Sequence, residues 1–128
     1  MELNKRGYKK PAMEIVTFEK IALPIEDVDT TPITVVDTSR HSQAVFMINN
    51  ISGEGLQYSF QVANVKEDGT MSEWVDLEAR QSLMANEKVV MVKQCVADRM
   101  KLSMQNETPG SVASIDLFVR LVPFGTIV

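Results

Sequence analysis

Side chains able to do covalent or acid–base chemistry are few in this sequence. One histidine, His41, and one cysteine, Cys95, occur in 128 residues. A single imidazole can act as one general base, but it cannot build a multi-histidine metal site. His41 stands in the turn-rich stretch Asp37-Thr38-Ser39-Arg40-His41-Ser42, where a solvent-exposed place is expected. Cys95, in Val92-Lys93-Gln94-Cys95-Val96, has no local setting that would activate a thiolate and reads as a small buried hydrophobe. Seventeen carboxylates are scattered, and no two form a recognisable acid–base pair. Glu26, Asp27 and Asp29 lack the glycine and distal glutamate of an EF-hand loop. No Gly-rich phosphate loop or Gly-x-Ser-x-Gly elbow occurs. No catalytic, cofactor-binding or metal-ligating residue is assigned, and a non-enzyme is expected.

The remaining chemistry is that of contact. Trp74, the single tryptophan, can serve as a stacking platform for a sugar ring or a partner, with Tyr58 as a second contact. It can equally close a strand hairpin from the core side. Eight methionines could form an adaptable surface, though Met100 and Met104 alternate with polar residues as core residues do. A basic cluster, Lys5, Arg6, Lys9 and Lys10, surrounds Tyr8. It is followed by apolar Ile15 and Phe18 and then by acidic Glu26, Asp27 and Asp29. A basic tip on an acidic neck suits an arm that meets a partner, and these seven basic and apolar residues are the candidate partner contacts.

The elements that must carry these residues are strands. Leu56-Gln57-Tyr58-Ser59-Phe60-Gln61-Val62 alternates apolar and polar without a break, the signature of a half-buried antiparallel strand. Similar runs cover 33–36, 43–48, 74–77, 89–92, 100–105 and 111–122, the last with Ile115, Leu117, Val119 and Leu121 on one face. Turn signals separate them, including Lys66-Glu67-Asp68-Gly69-Thr70 and Asn106-Glu107-Thr108-Pro109-Gly110. About seven strands at this spacing predict an all-β antiparallel sandwich, immunoglobulin-like or jelly-roll-like. Only 77–86 is rich enough in helix formers for a short helical turn. Pro11, Pro24 and Pro32 disfavour helix and central strand in the first quarter. Residues 13–21 are ambiguous, because Ile15, Phe18 and Ala22 fit a helical spacing while the β-branched content fits a strand. The reading adopted is an extended arm and linker over 1–32, containing a short strand, and a sandwich domain over 33–128. The arm's apolar residues must lie on the domain's own sheet or on a neighbour.

Composition agrees with one globular domain: 45% of residues are hydrophobic and 23% charged. A net charge of −4 argues against nucleic acid as a partner. No stretch approaches a membrane span or a secretion signal, so a cytosolic origin and no membrane partner are expected. On that expectation the acceptor-like triplets Asn50-Ile51-Ser52 and Asn106-Glu107-Thr108 are chance matches to a glycosylation pattern.

Several landmarks combine into a pattern: Asp37-Thr38-Ser39 before an apolar strand, Asn49-Asn50 before a Gly loop, and an aromatic strand followed by Asp68-Gly69. Trp74, the turn over 83–87, and Arg99-Met100-Lys101-Leu102-Ser103 before a Gly turn complete it. The pattern resembles the small immunoglobulin-like β-sandwich domains of tailed-bacteriophage structural proteins, over about residues 33–122. The cysteine pair of antibody-type domains is missing. The resemblance implies a virion component made in the host cytoplasm, such as a capsid decoration or head–tail accessory protein. It also implies homo-oligomers or other virion proteins as partners, bound through the arm and sheet edges. The alternative is a carbohydrate- or receptor-binding module using Tyr58 and Trp74.

Overall fold

A computed structural model describes residues 16–124. They form nine strands: β1 (Val16–Ile25), β2 (Thr31–Asp37), β3 (His41–Asn50), β4 (Leu56–Ala63), β5 (Val75–Asp76), β6 (Gln81–Leu83), β7 (Lys88–Gln94), β8 (Arg99–Asn106) and β9 (Ala113–Pro123). One sheet has the order β1-β9-β3-β7, and the other has β2-β8-β4-β5 with β6 also paired to β4. Every pairing is antiparallel. Among the described residues the chain passes from one sheet to the other at nearly every connection, and β1 lies beside β9. Taking β5 and β6 as one interrupted strand, this is the eight-stranded, double Greek-key wiring of a jelly roll. The expected all-β sandwich is thus present, wired in the second of the two anticipated ways.

The alternation read from the sequence is what fills the space between the sheets. Ala44, Phe46 and Ile48 of β3 and Ile115, Leu117, Val119 and Leu121 of β9 point inward from the first sheet. Leu56, Tyr58 and Phe60 of β4 and Met100, Leu102 and Met104 of β8 meet them from the second. Phe46 and Phe60 touch across the gap, with centroids 4.8 Å apart and planes at 60°, the edge-to-face arrangement that aromatic pairs favour.

The segment 16–32, which its prolines and acidic run assign to an arm and linker, contributes directly to the sandwich. Residues 16–25 are β1, paired along β9 from Val16↔Leu121 to Ile25↔Ala113. Glu26 to Thr30 form the connection, and Thr31 and Pro32 already belong to β2. Of the two surfaces the apolar residues could lie on, Phe18, Leu23 and Ile25 pack on the domain's own core, Ile25 being buried, while Ile21 faces outward. Residues 77–86, whose composition suggests a helical turn, contain β6 instead. Burial of Leu83 in the core and pairing with β4 override a weak local propensity.

Four connections use one local device. Asp37, Asn50, Asp68 and Asn106 each accept the backbone N–H of the residue two positions on, at 3.0, 3.1, 3.0 and 2.9 Å. That residue is Ser39, Ser52, Thr70 or Thr108. In the first three the hydroxyl of the same residue donates to the same oxygen, at 2.6 to 2.7 Å. Such Asx turns reverse the chain without spending a ladder hydrogen bond. The acceptor-like triplets at Asn50 and Asn106 have this structural meaning, and both asparagines are buried. At 66–70 the expected turn is present, with Gly69 at φ 87° donating to the Lys66 carbonyl at 2.9 Å.

Candidate functional site

Among the described residues no hydrogen bond joins the two side chains with nucleophile or base chemistry, though they stand at neighbouring positions of β3 and the end of β7. His41 opens β3 and is half-buried rather than exposed, with a buried Nδ1 that has no hydrogen-bond partner. Cys95 follows β7 and donates its N–H to the Ser42 carbonyl at 3.0 Å. Burial pushes its thiol up from the ordinary value, the opposite of what an attacking thiolate requires. Among the described residues no three His, Cys, Asp or Glu side chains come together as a metal site.

Of the arm contacts, Lys5, Arg6, Tyr8, Lys9, Lys10 and Ile15 lie outside the described residues. Phe18 sits on β1 opposite Val119, half-buried against the core. It also lines a crevice of about 330 Å³ at the β2–β3 end, with Val35, Asp37, Arg40, His41 and Leu121.

Tyr58 and Trp74 are not brought together. Tyr58 points into the core, edge-on to Phe60 at 6.1 Å, and burial raises its phenol above the ordinary value, with Glu78 and Glu87 adding to the shift. Trp74 is half-exposed, with the Lys101 ammonium 4.4 Å from its ring centroid. Lys101 falls between inward Met100 and Leu102, so this pair belongs to the outer face of the second sheet. A polar cleft of about 350 Å³ opens on that face, lined by Thr30, Ser59, Gln61, Asp76, Glu78 and Arg80. Gln61 donates to Asp76 at 2.9 Å, and Arg80 to the Thr30 hydroxyl at 3.1 Å.

The outer face of the first sheet has a different character. Register carries Phe118 of β9 beside Met47 of β3, and Met47 beside Val90 of β7. The next row carries Arg120 beside Val45 and Val45 beside Val92. Val90 and Val92 are 64% and 55% exposed, Ile21 65% and Met47 44%. A shallow groove of about 310 Å³ crosses this face, lined by Glu19, Ile21, Met47, Val90, Asp116 and Phe118. A contiguous apolar surface with a charged border is the usual mark of a contact site. The sequence shows this face only in retrospect, because its residues come from four strands whose order the alternation does not reveal.

The sheet edges are unequally open. On β1 a bulge opposite Asp116 puts Ala22 at φ 52° and is followed by Pro24; the Asp116 carboxylate accepts the Ala22 N–H at 2.8 Å. On β2, Pro32 lies at another register shift. Bulges and prolines are the features that discourage strand addition. The edge at β5 and β6 consists of strands of two and three residues. Only β7, among the described edges, runs for seven residues without a proline or register shift. Its Lys93 turns inward to pair with Glu78 and lies 4.9 Å from the Phe60 centroid, tying the two sheets together.

No family model and no curated protein matches this chain. Solved structures match at the level of fold. A protein of Bacillus endospore appendages, described as disulfide-linked pili, has a TM-score of 0.52 at 11% identity, over 85% of this chain and 88% of that one. PirA has 0.53 at 10%, over 91% and 99%. A chain of infectious bursal disease virus, Gx strain, has 0.50 at 16%, over 89% of this chain and 33% of the viral one. The likeness is one of architecture.

Proposed function

We propose that this chain is a non-enzymatic structural subunit of an assembled particle, specifically a bacteriophage virion component of the capsid decoration or head–tail accessory kind. On this reading it is made in the host cytoplasm and joins neighbouring subunits. One observation carries the proposal: the outer face of the first sheet presents Phe118, Met47 and Val90 in register, with Ile21 and Val92 beside them. A monomer in water gains nothing from exposing that surface, whereas a subunit buries it on assembly. The open β7 edge adjoins this face, and the basic segment 1–10 precedes β1, offering a second contact. Support also comes from an architecture found in a pilus protein and a virus chain.

Mass spectrometry of particles purified from the source tests the reading. The chain is expected in stoichiometric copy number, and Phe118→Glu is expected to reduce its incorporation at least tenfold while the fold persists. Absence of the chain from such particles would overturn the proposal.

A second reading has its own observation. The polar cleft on the second sheet combines amide, hydroxyl, carboxylate and guanidinium groups near the half-exposed Trp74, a combination suited to a glycan. Tyr58 takes no part in it, being buried. Titration with surface glycans is expected to change Trp74 fluorescence on this reading, and an unresponsive tryptophan argues against it.

A further inference from the structure

The outer face of the first sheet carries, beside its apolar row, one pair of opposite charges on β9 placed symmetrically about that row. On β9, Arg120 and Asp116 stand two residues on either side of Phe118 and share its face, so each lies about 7 Å from the Phe118–Met47–Val90 row. Arg120 is exposed and has no carboxylate partner among the described residues. Asp116 uses one oxygen for the Ala22 N–H, which leaves the other available.

We infer that a second copy of this chain covers this face, about a two-fold axis running across the strands along that row; the inference rests on the assembly reading above. Such a rotation lays Phe118 on Phe118, Met47 on Met47 and Val90 on Val90. It also carries each Arg120 over the Asp116 of the other copy, forming two ion pairs in one isologous interface. The angle of about 30° that twisted sheets adopt when stacked displaces these groups by a few ångströms, within an arginine's reach. Met47 adapts to such offsets because its side chain is unbranched and flexible. Four strands about 4.8 Å apart bury on the order of 1,000 Å² in total, the lower end of specific interfaces. Glu19, opposite Phe118 on the outermost strand, is the like-charge contact of this pairing, and Glu19→Gln is expected to tighten it.

Analytical ultracentrifugation of the full chain up to about 100 µM is expected to show a dimer. Arg120→Asp and Val90→Glu should each raise the dissociation constant at least about tenfold, with circular dichroism unchanged. Arg120→Asp combined with Asp116→Arg should bring it back to within about threefold of the parent if the pair acts across the interface. A monomer at all concentrations overturns the inference, as does a dimer indifferent to Arg120→Asp and Val90→Glu. A folded charge-swapped double variant that stays weak overturns the axis. Should Asp116→Arg unfold by losing the Ala22 contact, the other two variants decide. A monomer still present in particles overturns only the dimer; a dimer absent from particles overturns only the assembly reading.

Discussion

Asn50 and Asn106 hold equivalent posts at the ends of β3 and β8. The Asn50 amide donates to the Glu54 and Met84 carbonyls at 2.7 and 3.0 Å, joining the β3–β4 and β6–β7 connections. Asn106 donates to the Ile25 and Ser111 carbonyls at 3.1 Å each, joining the end of β1 to the β8–β9 turn. Replacing either by alanine strands two carbonyls and an Asx turn in a dry site, so Asn50→Ala and Asn106→Ala should each cost about 2–4 kcal/mol in urea unfolding. Asp37 is the exposed counterpart. Hydrogen bonds from the Ser39 hydroxyl and N–H, and then Arg99 3.0 Å away, hold its carboxyl below the ordinary value of 3.8. A carboxyl depressed in the folded state stabilises fully above its unfolded pKa, and that contribution is lost as pH falls through the folded one. Ser39→Ala should therefore raise the Asp37 pKa, read by carboxyl NMR titration, and move the onset of acid unfolding to higher pH.

Strands were legible in the sequence where alternation is unbroken, and β1 shows why one was not. Along β9, and along β4 from Leu56 to Phe60, the buried residues fall at every second position, so period and burial agree. On β1 the inward residues Phe18 and Leu23 are five apart, because the bulge inserts a residue at Ile21–Ala22. One inserted residue reverses the phase of everything after it, so Leu23 and Ile25 do not continue the alternation that Phe18 begins. Pro24 and Pro32, which suggest an arm in sequence, stand on β1 and β2, strands with one side unpaired among the described residues. The candidate contact face was less legible still, since valine and methionine at outward positions look like core until the sheet order is known. Membership of β1 in the sandwich decides what truncation should do. Removing residues 1–15 should leave a cooperatively unfolding sandwich. Removing residues 1–25 strips Phe18, Leu23 and Ile25 from the core and bares one side of β9. The longer deletion should lower thermal stability sharply or aggregate, compared by differential scanning calorimetry and light scattering. Equal stability of the two truncations would mean that β1 contributes no net stabilisation to the sandwich.

At the scale of the whole molecule, contact between sequence-distant strands governs both folding and the proposed assembly. Val16 pairs with Leu121 and Asp37 with Arg99, so the sandwich closes only when β1 and β9, far apart in sequence, are both in place. Loop closure over such spans is entropically costly before any burial rewards it, and β-sandwiches with non-local pairing fold in milliseconds to seconds. The proposed face has the same dependence: Phe118, Met47 and Val90 come from β9, β3 and β7 and become neighbours only in the complete first sheet. Assembly should therefore wait for folding. In stopped-flow refolding, a concentration-independent phase of milliseconds to seconds, seen by circular dichroism, should precede any concentration-dependent light-scattering phase. Folding in microseconds, or specific dimerisation before the strand signal develops, would show that local contacts suffice to build the face, against the topology that places β9 between β1 and β3.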